Sequence, residues 1–347
     1  MARETHAEAI KSTVSRKEEI ICDLKGRAEN EDVFFRPILM QFAAHFVGAT
    51  YRDFYMNHET LVDANIACMQ AFDTDAVGLI SDPSREAEAF GAQFDYPEES
   101  VPICTRYPVR TIEDVRNLKN PDVTVSRRTQ DRIAGAALFR KRLGDDIPVI
   151  GWIEGPLAEA CDLVGVSDML MKLVTNPGFT RTLLEKVVPT AKAFARAQIE
   201  AGCDIIGVGD AICSQISPHM YADYVKDLHQ EIVTFIHDHG ALVKLHICGD
   251  ITHLLPHLRD VDPDIVDLDW MVDMEHAYDI LGPDIVRSGN LDPAAVVEQK
   301  SAEEVFRRTK ELVTRERGRL FILSPGCEVT PLTPPENLWA MREASRP

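Results

Sequence analysis

No stretch of this 347-residue sequence approaches the ~18 consecutive apolar residues that a membrane helix needs. The opening residues, MARETHAEAIKSTVSRKEEI, are charged throughout and lack the apolar segment of a secretory leader. A soluble cytoplasmic protein is expected, with no membrane partner. Basic charge is also scarce: 37 Lys and Arg stand against 56 Asp and Glu, a formal charge of −19. Such a surface repels phosphate backbones, which argues against nucleic acid as a partner. Linkers, repeats and low-complexity segments are missing, so one domain is expected. The eight cysteines (22, 68, 104, 161, 203, 213, 248 and 327) are scattered and fit no compact disulfide framework. A chain this long buries a large core without covalent staples. In a reducing compartment most of these thiols should be buried, leaving a minority for metal or catalysis.

What the sequence does contain is alternation. Eight short runs rich in Val, Ile and Leu recur: PILMQF (37–42), AVGLIS (76–81), PVIGWI (148–153), DIIGVG (204–209), LVKLHI (242–247), DIVDLD (264–269), DIVRSG (284–289) and LFILSP (320–325). Longer amphipathic stretches separate them. Near-continuous apolar strands are buried on both faces, as in a parallel sheet. Eight of them with intervening helices predict a single-domain α/β fold, the (β/α)8 TIM barrel. Helix ends are marked by Ser217-Pro218 and Gly240 around 218–239, and by Ser301, Glu304 and Gly318 around 301–317. The segment 83–111 carries five Pro or Gly residues and is expected to form a long loop over the barrel mouth. Residues 1–35 should form a helical extension closing the bottom.

Barrel enzymes work at the C-terminal ends of their strands. The predicted strands end at Asp82, Glu154, Asp210, His246-Ile247-Cys248-Gly249-Asp250, Asp267 and Asp269, Asn290, and Cys327. His246 and Cys248 are two apart on one strand and share a face. In a closed barrel the fifth and eighth strands oppose each other, which sets Cys327 across the mouth. One imidazole and two thiolates suit Zn²⁺, and three protein ligands with an open fourth position are typical of a catalytic zinc. Packing at the strand ends is the competing explanation. It is also the preferred one for Cys161, Cys203 and Cys213, and it competes equally with function for Glu154, Asp210 and Asp269. His253 and His257 have metal-like spacing, but Pro256 lies between them and no Glu completes a metalloprotease motif. His237 and His239 are expected to cap a helix C-terminus.

The segments AVGLISD, IPVIGWIEGPL, VDLDWMVD and SGNLDP make the chain resemble the uroporphyrinogen decarboxylase superfamily over nearly its whole length. LHICGD and the Cys of ILSPGCEV resemble its zinc-dependent, corrinoid-linked methyltransferase branch. That resemblance implies zinc held by His246, Cys248 and Cys327, with Asp269 the best match for an acidic residue completing the shell. It implies roles for Glu154, Asp210 and Asp82 in orienting substrate or moving a proton. Asn290 and Asp250 are candidates for contacting the corrinoid. No corrinoid-binding domain is recognisable, so a corrinoid-binding partner protein is implied, with a small-molecule methyl donor or a thiol as the other substrate. A homodimer is left open. True decarboxylases carry an arginine-containing segment of the type RQAGRY at the first strand; here MQFAAHFVGATY stands in its place, with no arginine until Arg52. Asp82 does match the decarboxylase catalytic Asp. The alternatives are therefore a decarboxylase-like tetrapyrrole enzyme and a barrel that binds a corrinoid or tetrapyrrole without turnover.

Overall fold

In the computed structural model, which describes residues 16–29 and 32–346, the apolar runs become strands and the amphipathic stretches helices. The strands are β1 (Phe34–Phe35), β2 (Val77–Gly78), β3 (Gln93–Asp95), β4 (Ile103–Arg106), β5 (Val149–Glu154), β6 (Ile205–Gly209), β7 (Leu242–His246), β8 (Ile265–Leu268), β9 (Val286–Leu291) and β10 (Phe321–Pro325). Eight are parallel, in the order β1-β10-β9-β8-β7-β6-β5-β2. The two ends of that order meet through Asp75, whose backbone N–H donates to Phe35 O at 2.9 Å while its carboxylate accepts from Phe35 N at 2.7 Å. The result is the TIM-like (β/α)8 barrel that the alternation predicts.

Four local features differ from expectation. The first strand lies at Phe34–Phe35, ahead of the 37–42 run, because Pro37 has no N–H to continue the ladder. Beyond it only an isolated bridge joins Ile38 to Glu328, and Gln41–Phe46 is helical. The 83–111 segment is also more ordered than a loop: it contains a helix, Arg85–Ala89, and the antiparallel pair β3-β4. Its Pro and Gly residues fall mainly between these pieces. The expected helix over 218–239 is divided at Val225 into Pro218–Tyr224 and Lys226–Asp238, with Ser217 accepting from Met220 N as the cap. Ser301 caps Ala302–Arg315, but Glu304 turns to Arg307 and Arg308, so only half of the capping box forms.

The core has two parts. Between sheet and helices lies the main apolar cluster. Inside the barrel, a second cluster fills the bottom, with Phe34, Ala76, Ile150, Ile205, Leu242, Ile265, Val286 and Ile322 at or near the start of each strand. Ile20 and Leu24 of the helix Arg16–Glu29 pack against it. Residues 1–15 lie outside the described part. Above this plug the inward positions turn polar, with Lys244, Asp267, Ser288 and Ser324 all buried. Apolar contact therefore closes one end, and functional chemistry is confined to the other. No helix among the described residues is long and apolar enough to cross a membrane.

Candidate metal centre

Strand alternation places Lys244 and His246 on the inward face of β7, and Cys248 follows where the strand ends. Gly249, at φ +89°, turns the chain away immediately afterwards, a conformation that favours glycine. Cys327 comes from the turn after β10. His246 Nε2 lies 3.1 Å from Cys248 Sγ, which lies 3.7 Å from Cys327 Sγ. The ligand atoms of these three residues all fall within 4.8 Å of one another. His246 Nδ1 donates to Asp267 Oδ2 at 2.8 Å, so Nε2 is the nitrogen left to face the sulfurs. Asp267 is itself paired through its other oxygen with buried Lys244.

The charges are tightly coupled. Burial opposes the imidazolium of His246, but the hydrogen bonds to Asp267 and Cys327 outweigh it and lift its pKa to about 10. The hydrogen bond with Cys248 and the imidazolium beside it bring Cys327 down to about 4, against the effect of burial. Cys248 is pushed above the usual thiol range, first by its hydrogen bond to Cys327 and then by burial. One sulfur is thus a ready thiolate while the other keeps its proton. A cation held by these three residues would favour loss of the second proton by stabilising both thiolates.

The three donors open on a cavity of about 250 Å³, lined also by Trp152, Asp82 and Glu154 and by the apolar side chains Ile38, Met40 and Ile80. Trp152 is held edge-on to His246, with ring centroids 5.6 Å apart. Gly207, its register partner on β6, makes room for the indole: a Cβ there would lie 2.2 Å from the ring. Asp82 is buried and accepts from Ser81 Oγ at 2.8 Å, Ser84 N at 3.0 Å and Arg128 at 2.5 Å. Burial raises its pKa, but Arg128 and Arg85 prevail and keep it ionised. Glu154 accepts from Arg85 at 2.8 Å, yet burial and the neighbouring Glu86, Asp162 and Asp210 hold its pKa well above the carboxylate range.

The remaining candidate residues stand back from this cavity. Asp210 turns to the N-terminus of the helix Pro156–Val164, accepting from Leu157 N at 3.2 Å and Ala158 N at 2.7 Å, and to His229 Nε2 at 2.9 Å. Asp269 is not in the three-donor group: its oxygens accept from Gly249 N and Trp270 N, each at 2.8 Å. It also abuts Gly326, so it ties the Cys248 turn to the Cys327 turn. Asn290 donates to Val272 O at 2.7 Å, and Asp250 accepts from Thr252 N at 3.0 Å. Asp210, Cys213 and His229 form a second group of donor atoms within 4.8 Å, fully buried. Both nitrogens of His229 are already engaged, by Asp210 and by Tyr221 at 2.8 Å, and the group reads as a packed hydrogen-bond network. His253 bonds Ile216 O, and His239 bonds Phe235 O at its helix end. Cys161, Cys203 and Cys213 are buried, as their apolar neighbours suggest. Sequence reasoning missed Arg85, Arg128 and Glu159, whose charged side chains carry no periodic signal of burial.

Fold and site together define a (β/α)8 barrel with a His/Cys/Cys donor set at the end of the barrel where such proteins do chemistry. The chain belongs to the uroporphyrinogen decarboxylase (URO-D) family, whose model matches residues 33–347. It is 30% identical over 291 residues to a uroporphyrinogen decarboxylase of Trichlorobacter lovleyi, covering 80% of this chain and 82% of that one. It is 24% identical over 303 residues to the methylcobamide:CoM methyltransferase MtaA of Methanosarcina barkeri, covering 85% and 86%. A solved structure of a methyltransferase from Methanosarcina mazei shares the fold, with TM-score 0.83 at 22% identity over 96% of this chain and 98% of that one. Family members thus include both decarboxylases and methyltransferases.

Proposed function

We propose that this protein is a zinc-dependent methyltransferase that moves a methyl group between a small molecule and a corrinoid carried by a partner protein. The observation that carries the reading is the convergence of His246 Nε2, Cys248 Sγ and Cys327 Sγ on a cavity with no lysine or arginine among the described residues that line it. One imidazole and two sulfurs fit zinc, and His246 already has its second nitrogen committed to Asp267. When bound, zinc would supply Lewis acidity, holding a substrate thiol as thiolate or polarising a methoxyl oxygen. The chain's own groups do the rest. Asp267 fixes the tautomer and direction of His246. Asp269 holds the two cysteine turns at a set separation. Asp82, kept ionised by Arg128, orients substrate, and Glu154 exchanges a proton with it. Trp152, Ile38, Met40 and Ile80 exclude water. Asp210 braces the helix behind Glu154, while Asn290 and Asp250 shape the rim that a corrinoid would approach.

The decarboxylase reading is favoured by several relatives of that name at 27–30% identity. The cavity opposes it, because Asp82 and Glu154 already engage Arg128 and Arg85, and a polycarboxylate would find no unengaged cation among the described residues that line it. The stretch replacing the arginine segment forms the helix Gln41–Phe46, and Arg52 is spent on Glu98 at 3.1 Å near the surface. Metal analysis, followed by mixing the zinc-loaded protein with methylcobalamin and thiols, or with reduced cobalamin and methyl donors, tests the proposal. A cobalt colour change is expected. Loss of carboxyl groups from uroporphyrinogen without any colour change would reverse the assignment.

A further inference from the structure

Behind Glu154 lies a second, much smaller space of about 10 Å³, enough for about one water molecule. Its polar lining is Glu86, Glu154, Glu159 and Thr190, set among apolar side chains such as Phe90 and Val188. Glu154 lines both this space and the barrel cavity. Glu159, on the helix Pro156–Val164 that leaves β5, is only 3% exposed, and neither of its carboxylate oxygens has a hydrogen-bond partner. The Thr190 hydroxyl is buried without a partner as well.

Charge is out of balance here. Arg85 bonds Glu154 at 2.8 Å and Glu86 at 3.3 Å. Arg128 is committed to Asp82 at 2.5 Å. No cation among the described residues is paired with Glu159 or with Asp162, one helical turn further on. A buried carboxylate without counter-charge takes up a proton instead of staying ionised. Burial, reinforced by Glu86 and Asp162, accordingly pushes Glu159 well above the carboxylate range, and Asp162 is shifted the same way. A neutral carboxylic acid can accept a proton on one oxygen while releasing one from the other.

We propose that Glu154 and Glu159, facing each other across this space, form a proton relay from the barrel cavity to half-buried Asp162. The relay's chemistry is proton transfer alone. A substrate O–H or S–H bond breaks as an O–H bond forms on Glu154. The Glu154 proton passes through the intervening water to Glu159, Glu159 passes its own on towards Asp162, its electrostatic neighbour on the same helix, and Asp162, protonated as well, gives its proton up to solvent. One proton crosses, and nothing is oxidised or reduced. Methylation of a thiol releases such a proton and demethylation of an ether consumes one, so the direction of flow, though not the geometry of the relay, rests on the methyltransferase reading. The charged and titratable groups facing the pair are Arg85, Glu86, Asp82, Asp162 and Asp210.

Two measurements on the zinc-loaded full-length protein test this. Infrared difference spectra in H₂O and D₂O should show a protonated-carboxyl C=O band that Glu159→Gln removes and that Thr180→Val, buried elsewhere on the helix Pro177–Glu200, leaves in place. With methylcobalamin and mercaptoethanol, Glu159→Gln should lower kcat on the order of 10²-fold while leaving KM and zinc content unchanged. It should also alter the solvent isotope effect, which a merely structural role would not do. Absence of the band in wild type, as for an ionised Glu159 holding a metal cation, overturns the relay. So does a Glu159→Gln protein that folds and turns over at the wild-type rate. If wild type transfers no methyl group, the functional reading fails instead, and the infrared comparison still decides whether Glu159 stores a proton.

Discussion

Replacing Asp267 with Asn separates two effects that meet on one carboxylate. Asp267 is 3% exposed, receives His246 Nδ1 at 2.8 Å and is ion-paired with Lys244, itself 2% exposed. Burial raises its pKa, but Lys244 and His246 more than compensate and hold it below the carboxylate range. Asn keeps the shape and a hydrogen-bond acceptor for His246 but leaves Lys244 charged and unpaired inside the barrel. Breaking a buried pair this way costs about 3–5 kcal/mol. The proposed zinc site would lose the carboxylate that orients and enriches its imidazole, a change that costs about 10–100-fold in metal affinity, or roughly 1.4–2.8 kcal/mol at 1.4 kcal/mol per tenfold. In the Lys244→Met/Asp267→Asn protein the orphaned charge is gone, so urea unfolding should return close to wild type while zinc affinity, measured by competition with a chromophoric chelator, stays low. Wild-type zinc affinity in Asp267→Asn would refute the orienting role. Recovery of affinity together with stability in the double variant would show that barrel distortion, not loss of the carboxylate, had weakened the site.

Removing zinc with a chelator should leave the barrel folded by circular dichroism and make Cys248 and Cys327 newly reactive to alkylation. Cys68, whose thiol burial pushes up to about 12, and Cys203 should stay unlabelled; global unfolding would mark the site as structural. Gly207→Ala forces a methyl group to within 2.2 Å of Trp152, and overpacking should cost about 1–3 kcal/mol and shift tryptophan fluorescence. An unchanged melting temperature would show that the indole is free to move. Glu159 is protonated in the fold and ionised in the unfolded chain above about pH 4.3, so its contribution to stability falls as pH rises from there towards its raised folded value. Glu159→Gln should flatten that part of the stability–pH curve, and an unaltered slope would mean Glu159 is ionised in the fold. The cobalt colour change should vanish in His246→Ala and persist in His257→Ala, whose ring lies against Tyr221 away from the cavity; loss in both would mean the wrong histidine had been assigned.

Local pattern was enough to read the architecture and to set two of the three candidate metal donors near each other. The two-residue spacing already suggests that His246 and Cys248 share a side, and they do lie together, although β7 ends at His246 and Cys248 sits just past it. Runs of Val, Ile and Leu separated by helix-forming stretches likewise specify parallel strands covered on both faces, and Ser217 and Ser301 mark helix starts through bonds made within one turn. Closure of the barrel was a tertiary matter: it brought Cys327, 79 positions along the chain, to 3.7 Å from Cys248. Pro37 ended the first strand earlier than its apolar run implied, since a ladder needs a donor as well as an apolar face. The carboxylates divided only in three dimensions. Asp82 and Glu154 look alike at two strand ends, yet Arg128 keeps one ionised while burial keeps the other protonated. Asp210 and Asp269 left the cavity for backbone amides that only the packed helix and turns present to them. Periodicity tells which face a side chain occupies, but the state of a buried charge depends on which opposite charges and amides long-range packing brings within a few ångströms.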